Sequence, residues 1–249
     1  HSGQSELALG RALARYPRES FYLATKFPGY DLNNMGKVEE IFEAQLKKCQ
    51  VDYFDFYLFH NVCEMNIDAY LDPQYGIDAY LTAQKANGCI RHLGFSARFL
   101  EAYGDHMEFC QIQLNYLDWT FQDAKAKVEL LKEYNIPVWV MEPLRGGRLA
   151  KLGESHTRRL NALRPDEATP AWAFRFLQTI PEVTMILSGM SNMAQLQDNV
   201  HTFETEKPLT EGELSELLEI ADEILGKKAL PCTACRYCTT HCPQGLDIP

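Results

Sequence analysis

The sequence has no apolar run of the about 18 residues that a membrane-spanning helix requires, so no membrane span is expected. Positive charge is also scarce, because 24 Lys and Arg stand against 34 Asp and Glu, which gives a net charge of −10. Nucleic-acid binding needs a basic patch, so this balance excludes nucleic acid as a partner. No G-x-G-x-x-G follows any β-like segment either, so the usual glycine-rich dinucleotide fingerprint is missing.

The sequence does have the composition of a globular protein, since 46% of its 249 residues are hydrophobic. Short runs of β-branched and aromatic residues alternate with amphipathic helical stretches such as 38–49 and 122–134. The runs cover residues 21–26, 54–60, 92–97, 109–115, 137–142 and 184–189. Such alternation predicts βαβ units and a parallel sheet.

Polar residues recur where these predicted strands end, at Lys26, His60, Ser96, Gln113 with Asn115, and Glu142. In a TIM barrel the carboxyl ends of the strands carry the active site. The pattern therefore favours an α/β fold of the TIM (β/α)8 type over an open doubly wound sheet. Since the sequence opens on a helical pattern, we expect the barrel to lack its first two strands here. The short step between the fourth run and the one before it leaves the bare minimum of about 10–12 residues for a crossover. We therefore expect a missing segment after Ala97.

Half of the eight cysteines are clustered in PCTACRYCTTHCPQG. Cys232, Cys235, Cys238 and Cys242 follow the spacing C-x2-C-x2-C-x3-C-P, which is typical of ferredoxins that hold a [4Fe–4S] cluster. Zinc is the alternative, but zinc sites usually use two separated knuckles. In two-cluster ferredoxins the fourth cysteine binds the other cluster. Either all four bind one cluster, or a longer natural chain supplies a second run; we expect the longer chain, with two clusters.

The cysteine distribution also indicates the compartment and the domain organisation. Clustered cysteines point to metal binding in a reducing compartment, so we expect a cytoplasmic protein. The others, interpreted as small core residues, are Cys49, Cys63, Cys89 and Cys110. The predicted domains are a barrel over 1–209, a linking helix over 210–230 and a ferredoxin-like iron–sulfur segment over 231–249.

Five stretches occur in a fixed order: HSGQSELALGRAL (1–13), LATK (23–26), VDYFDFYLFHN (51–61), GFSA (94–97) and SGMSNMAQLQDN (188–199). Together they resemble motifs of the aldo-keto reductase family, including its strand that ends in a catalytic lysine and its strand that ends in a catalytic histidine. The cysteine tail makes the chain similar to the ferredoxin-like, iron–sulfur-containing branch of that family.

The resemblance implies an NAD(P)-dependent oxidoreductase that interconverts a carbonyl and an alcohol by hydride transfer. By resemblance, Lys26 lowers the pKa of a proton-donating tyrosine, and His60 orients or polarises the carbonyl. Ser96 and Gln113 would hold the nicotinamide carboxamide, and Met141 stands where the family usually has a stacked aromatic ring. The other implied cofactor-binding residues are Glu142, Pro143 and Leu144 at the pyrophosphate, and Gly189, Ser191, Asn192, Gln195 and Asn199 around the adenosine.

The sequence also departs from the family pattern. The family tyrosine is expected immediately before His1, and Ala97 replaces a common asparagine. No Lys or Arg lies in the nucleotide loop, where a 2′-phosphate normally finds a cation, which favours NAD over NADP. Arg145 and Arg148 are the substitutes that the sequence offers.

Each candidate residue has a purely structural interpretation as well. Lys26 would then be a solvated charge, and His60 a hydrogen-bonded core histidine. Ser96 would cap a helix, Gln113 would be an ordinary buried amide, and Met141 would fill the core.

Two functions therefore remain open. The first is the reductase, acting on a small-molecule carbonyl or alcohol substrate. The second is an electron-transfer or redox-sensing protein, in which the barrel is a scaffold and the cluster serves a redox partner protein. Hydride transfer moves two electrons and a cubane cluster moves one, and no flavin motif is visible. Direct electron flow between nicotinamide and cluster is therefore not expected.

Overall fold

The computed structural model describes residues 3–95 and 107–226. The strands form a six-stranded parallel sheet in which the strand order follows the chain. They are β1 (Ala24–Phe27), β2 (Phe54–Phe59), β3 (Ile90–Phe95), β4 (Cys110–Gln113), β5 (Val138–Met141) and β6 (Val183–Ile186). All the predicted strands are present, and the α/β fold with a parallel sheet is consistent with the predicted TIM barrel.

The helices occupy the connections between the strands, as the alternating pattern predicts. In the described part they are α1 (Gln4–Leu13), α2 (Val38–Cys49), α3 (Ile67–Leu71), α4 (Ile77–Ala86), α5 (Asp118–Phe121), α6 (Ala124–Glu133), α7 (Glu154–Leu163), α8 (Thr169–Gln178), α9 (Met193–Glu204) and α10 (Glu211–Gly226). None of these helices has both the length and the apolar character needed to cross a membrane.

Two expectations concern residues outside the described ranges. The segment expected to be missing after Ala97 falls in 96–106, and the cysteine tail falls in 227–249. The predicted linking helix corresponds to α10 as far as Gly226. The division into a barrel, a linking helix and an iron–sulfur segment stays a prediction.

The chain divides into two compact units, residues 1–111 with 133–137 and residues 112–132 with 138–249. In the first unit, β1, β2 and β3 pair in parallel. The core between this sheet and α2 is aromatic. Phe42 of α2 makes edge-on ring contacts with Phe54, Tyr57 and Tyr80, at centroid distances of 5.8, 5.2 and 5.9 Å. Such pairs stabilise a core beyond the apolar area that they bury.

A buried carboxylate fixes the start of β1 against β2. Asp55 is only 1% exposed, and its carboxylate accepts a hydrogen bond from the Leu23 backbone N–H at 2.9 Å. Arg18 and Arg91 pair with the same carboxylate at 2.7 and 3.0 Å. Because a buried charge is tolerated only when it is paired and hydrogen-bonded, these contacts explain why an aspartate is accepted inside the apolar run of β2.

Gly10 lets α1 approach the end of α2 closely. A Cβ at Gly10 would lie 2.2 Å from the Lys48 carbonyl oxygen and 2.9 Å from the Cys49 carbonyl carbon. Both are backbone atoms, so neither can rotate away. We expect Gly10→Ala to destabilise the protein by about 1–3 kcal/mol, because the clash outweighs the better helix propensity of alanine. A thermal melt followed by circular dichroism measures this as a lower transition midpoint.

Gly212→Ala is the matched control for that substitution. Gly212 also lies in a helix, α10, and an added Cβ there would meet nothing within 4 Å. We expect it to be neutral or stabilising by about 0.4–1 kcal/mol. Equal midpoints for the two variants would contradict the close packing at Gly10.

In the second unit, helix α8 is buried on all sides. Every residue from Ala171 to Leu177 is buried, including Trp172 and Arg175. The Arg175 guanidinium is paired with Glu167 at 3.0 Å and donates to the Thr205 carbonyl at 2.7 Å. A helix that is apolar all round belongs in a core, and these partners satisfy its one buried charge.

Ion pairs attach α10 to α7 and the residue that follows it. Arg159 of α7 pairs with Glu216 and, at 2.6 Å, with Glu223. Arg164 pairs with Glu213 at 2.6 Å and holds the pKa of that carboxyl down at about 2. The acidic face of α10 is therefore turned in part toward cations of the same unit and is only partly a solvated face.

Candidate active site

Lys26 lies near the end of β1, where its backbone is in register with Leu58 of β2. Its side chain is partly buried, and burial lowers the pKa of the ammonium group from its usual range. A lysine that is only a solvated surface charge would show no such desolvation. The structure therefore places Lys26 in an environment that differs from the purely structural interpretation of this residue.

His60 directly follows β2 and is also partly buried. Burial, together with the nearby charge of Lys26, lowers the pKa of the imidazole to about 4. The ring is therefore neutral near pH 7, with one N–H donor and one acceptor nitrogen. Phe27 and Phe59, the chain neighbours of Lys26 and His60, are register partners in the paired strands β1 and β2, so both residues lie at the same end of this strand pair.

A buried hydrogen-bonded chain supports the backbone of Lys26. Gln45, on the inner face of α2 and 5% exposed, donates from Nε2 to the Lys26 carbonyl at 2.9 Å. The Tyr57 hydroxyl donates in turn to Gln45 Oε1 at 2.7 Å. Because a buried hydrogen-bond network restricts the groups that it joins, β1, β2 and α2 are held together at the level of Lys26.

A second pair of side chains supports the backbone at His60. The Tyr70 hydroxyl of α3 donates to the His60 carbonyl at 3.0 Å. Asn66, 3% exposed, donates from Nδ2 to the carbonyls of Asn61 and Gly29, both at 3.1 Å. The turns after β1 and β2 are therefore fixed to each other by side chains from one short segment.

Gln113 ends β4 in the second unit and belongs to a buried polar cluster. Its Nε2 donates to Asp118 Oδ2 at 2.8 Å, and Asn115 Nδ2 donates to the same oxygen at 2.7 Å. Arg145 pairs with the other carboxylate oxygen at 3.1 Å, and both charged side chains are almost fully buried. Asp118 engages one of the two N–H donors of the Gln113 amide, so a ligand at this residue would meet the second N–H and the carbonyl oxygen.

Met141, predicted at the nicotinamide, is the last residue of β5, and the predicted pyrophosphate residues Glu142, Pro143 and Leu144 follow it in the same unit. Met141 is partly buried, Pro143 is buried and Leu144 is partly buried. The Glu142 carboxylate is turned back into its own loop, where it accepts from the Gly146 N–H at 2.5 Å, and Glu142 itself has φ of 57°. The contacts of this carboxylate therefore give it a role in shaping the turn.

The predicted adenosine residues lie in an exposed loop, which holds Gly189, Ser191 and Asn192, and in α9, which holds Gln195 and Asn199. Asn192 caps the helix by accepting from the Gln195 N–H at 3.0 Å, and Gln195 Oε1 accepts from the Ser191 N–H at 2.7 Å. Asn199 donates to the Ser188 hydroxyl at 3.1 Å. A Cβ on Gly189, in the same loop, would meet nothing within 4 Å. The loop is thus fixed by its own side chains and by those of α9, and it is open to a ligand.

The remaining predicted residues cannot be placed. Ser96, Cys232, Cys235, Cys238 and Cys242 lie outside the described residues. Among the residues that are described, no group of three or more His, Cys, Asp or Glu side chains is arranged to hold a metal ion.

Several supporting residues were not found from the sequence. Gln45 lies on α2, which the hydrophobic pattern of the sequence predicts as an amphipathic helix, and Tyr70 lies on α3, which that pattern does not predict. In neither case does the sequence indicate which backbone carbonyl the side chain contacts. Asp118 and Arg145 are separated by a complete α/β step, so local spacing gives no sign of their contact. Asn115 was visible, since it follows β4 directly as a polar residue.

Comparison with known proteins places this geometry in a family. The sequence model of the Aldo/keto reductase family matches residues 1–222. The NADH-specific methylglyoxal reductase of Escherichia coli is 23% identical over 244 residues, which cover 80% of this chain and 74% of that protein.

Solved structures are similar in fold. The holo form of an aldo-keto reductase from Bacillus halodurans superposes with a TM-score of 0.69 at 23% identity, covering 86% of this chain and 76% of that one. An aldo/keto reductase from Brucella melitensis gives a TM-score of 0.66 at 18% identity, with coverage of 86% and 80%. The chain therefore belongs to the aldo/keto reductase family and is an NAD(P)-dependent oxidoreductase.

Proposed function

We propose that this chain reduces a small reactive carbonyl compound, with 2-oxoaldehydes as the substrate class, to the alcohol with NADH. We further propose that Lys26 and His60 act at the reacting carbonyl. The observation that carries the proposal is the pair itself: two partly buried groups at the ends of the paired strands β1 and β2. Burial lowers the pKa of both groups, and the charge of Lys26 lowers the pKa of His60 further. Perturbed titratable groups of this kind are typical of catalytic sites.

In the proposed reduction, His60 and Lys26 both act at the carbonyl oxygen. When bound, the nicotinamide supplies a hydride to the carbonyl carbon. The neutral ring of His60 donates a hydrogen bond to the carbonyl oxygen and withdraws electron density from the carbon. The ammonium of Lys26 stabilises the negative charge that develops on this oxygen. By resemblance to the family, Lys26 also lowers the pKa of the tyrosine that delivers the proton, so that one hydride and one proton complete the alcohol.

The residues of the second unit fit a dinucleotide without a 2′-phosphate. The N-terminus of α9, a helix of 12 residues, begins in the open loop and favours a phosphate group there. Arg145, one of the two cations that could replace the missing loop charge, is 2% exposed and is paired with Asp118. It is therefore not placed to receive an added phosphate. The matched relative is described as specific for NADH.

Coenzyme preference tests this proposal. With methylglyoxal as substrate, we expect kcat/KM with NADH to exceed that with NADPH by about 10–100-fold, because the 2′-phosphate of NADPH would lose hydration without gaining a cationic partner. Met193→Arg, at the exposed first residue of α9, should reduce the ratio of kcat/KM with NADH to that with NADPH. Leu130→Arg, at an exposed position of α6, should leave this ratio unchanged.

Equal values of kcat/KM with the two coenzymes would contradict the NADH assignment. The absence of turnover with either coenzyme and a panel of 2-oxoaldehydes contradicts the reductase and favours the electron-transfer alternative.

We also propose that Cys232, Cys235, Cys238 and Cys242 hold a [4Fe–4S] cluster. The support is the donor set, which consists of four soft thiolates at the ferredoxin spacing. This spacing matches that of [4Fe–4S] ligands better than that of zinc ligands, which usually come from two separated knuckles. No step of the proposed reduction needs the cluster. A second run of the same spacing in a longer natural chain would supply a second cluster.

Metal analysis tests the cluster. The protein purified without oxygen should contain about four iron and four acid-labile sulfide per cysteine run. Cys235→Ala should lower both, whereas Cys89→Ala, at a cysteine outside the tail, should lower neither. Zinc without sulfide in the purified protein would contradict the assignment.

A further inference from the structure

Tyr30 makes an aromatic contact with His60 that the proposed reaction does not use. The two ring centroids are 5.2 Å apart and the ring planes meet at 87°, which is an edge-on arrangement. Tyr30 is nonetheless 48% exposed, so about half of the side chain faces outward. Single exposed aromatic residues are common on protein surfaces, but this one contacts the ring of a partly buried histidine.

The residue before Tyr30 is fixed by buried neighbours. A Cβ at Gly29 would lie 2.1 Å from the Tyr70 hydroxyl oxygen, so only glycine allows this approach. The Gly29 carbonyl accepts from Asn66 at 3.1 Å, and its N–H donates to the Phe27 carbonyl at 2.9 Å. The chain therefore leaves β1 in one defined direction.

The residues around Tyr30 fix the same turn from the other side. The Pro28 carbonyl accepts from Asn34 Nδ2 at 3.0 Å and from the Asp31 N–H at 3.3 Å. The Asp31 carboxylate in turn accepts from the Asn33 N–H at 3.0 Å. Tyr30 thus lies in a turn with hydrogen bonds on both sides, so its backbone position is defined, and its ring rests against His60.

An aromatic ring can contact a ligand with little loss of side-chain entropy. Tyrosine has few rotatable bonds, so little side-chain entropy is lost when a ligand packs on it. Offset or edge-on contact between aromatic rings stabilises a pair by about 0.5–1.5 kcal/mol beyond area burial. A carbonyl compound whose oxygen reaches His60 brings its substituent into the neighbourhood of this ring.

From this arrangement we propose that Tyr30 is a specificity-determining residue, whose ring favours carbonyl substrates with a flat aryl substituent over those with a small alkyl substituent. This inference rests on the proposed function, because it takes His60 as the residue at the carbonyl oxygen.

The experiment compares phenylglyoxal with methylglyoxal, both with NADH, in the wild-type chain and in Tyr30→Ala, Tyr30→Leu and Tyr30→Phe. We expect Tyr30→Ala and Tyr30→Leu to raise KM for phenylglyoxal by about 3–10-fold, to change KM for methylglyoxal by less than about twofold, and to leave kcat similar. Tyr30→Phe should behave as wild type because it keeps the ring. Tyr16→Ala, at a tyrosine 56% exposed at the end of α1, is the matched control and should change neither KM.

A second readout does not need turnover. An NMR titration of the His60 ring should show its pKa rising from about 4 toward 6.5 in Tyr30→Ala, because water reaches the uncovered imidazole. Tyr30→Phe should keep the low value. Lys26 and Tyr70, the titratable groups that face His60 from β1 and α3, are the same in all these variants.

The outcomes separate this inference from the function on which it rests. Equal effects of Tyr30→Ala on both substrates, or no effect on either, overturn the specificity role while the reductase proposal stands. If His60→Ala leaves turnover of both substrates unchanged, the proposed role of His60 at the carbonyl oxygen is overturned, and if the wild type turns over neither substrate, the proposed function itself is overturned. Should Tyr30→Ala fail to fold, Tyr30→Leu decides the same question, because it keeps the bulk and removes the flat ring.

Discussion

Lys26→Met should lower kcat/KM for NADH-dependent reduction by about 10²–10⁴-fold, which is the range for loss of a group that assists proton transfer. The same variant should melt at the same temperature as the wild type or slightly above it. Methionine fills a similar volume, and the desolvation that lowers the pKa of this ammonium disappears with the charge. Steady-state kinetics and a thermal melt of the same preparation measure both effects.

The combination of lost activity and retained stability makes this prediction specific. A lysine that is only a solvated charge would change neither activity nor stability when it is replaced. Lys37→Met, at an exposed lysine just before α2, removes one positive charge from the same unit and should change neither quantity. Activity of Lys26→Met within about twofold of the wild type would remove the catalytic role from this residue.

Asp118→Ala should destabilise the protein by about 3–5 kcal/mol, because it leaves the buried guanidinium of Arg145 without its carboxylate, and it leaves the amides of buried Asn115 and partly buried Gln113 without their shared acceptor. For a chain of this size the melting temperature should fall by roughly 6–20 °C. Differential scanning calorimetry measures this loss. Asp166→Ala, at an exposed aspartate of the same unit, is the matched control and should lie within about 0.5 kcal/mol of the wild type.

A double substitution separates the charge from the packing. Asp118→Leu combined with Arg145→Met replaces the buried ion pair by apolar side chains of similar size. We expect this double variant to be more stable than Asp118→Ala alone, because neither partner is then left as a buried charge. A double variant no more stable than Asp118→Ala would show that the surrounding hydrogen bonds carry the stability and not the charge pair.

The strands could be predicted because their sequence signal is local. The run at 54–60 is apolar and aromatic nearly throughout, and β2 begins where the run begins and ends one residue before it does. The run at 21–26 predicts the bounds of β1 less well, because the strand in the structure begins three residues later, at Ala24. Leu23 still takes part in pairing, because its carbonyl accepts from the N–H groups of both Asp55 and Phe56.

The two residues that we propose to act at the carbonyl could be picked out from the sequence, because Lys26 and His60 are polar residues at the ends of apolar runs. Their support could not. Gln45 occupies a position on the buried face of α2 where an apolar residue is the rule, so its spacing suggests burial but not the carbonyl that it reaches. The contact of Tyr30 with His60 depends on the direction of a turn that only the three-dimensional contacts of Gly29 define.

The burial of α8 on every side has a consequence for how this segment tolerates change. Most helices accept substitutions with a period of about 3.6 residues, because one face meets solvent. From Ala171 to Leu177 no such face exists. In a saturation mutagenesis experiment these positions should form one continuous intolerant block, in which a larger residue survives only when a neighbour becomes smaller. The segment would then change slowly and in coupled pairs during evolution, however freely the exposed helices around it vary.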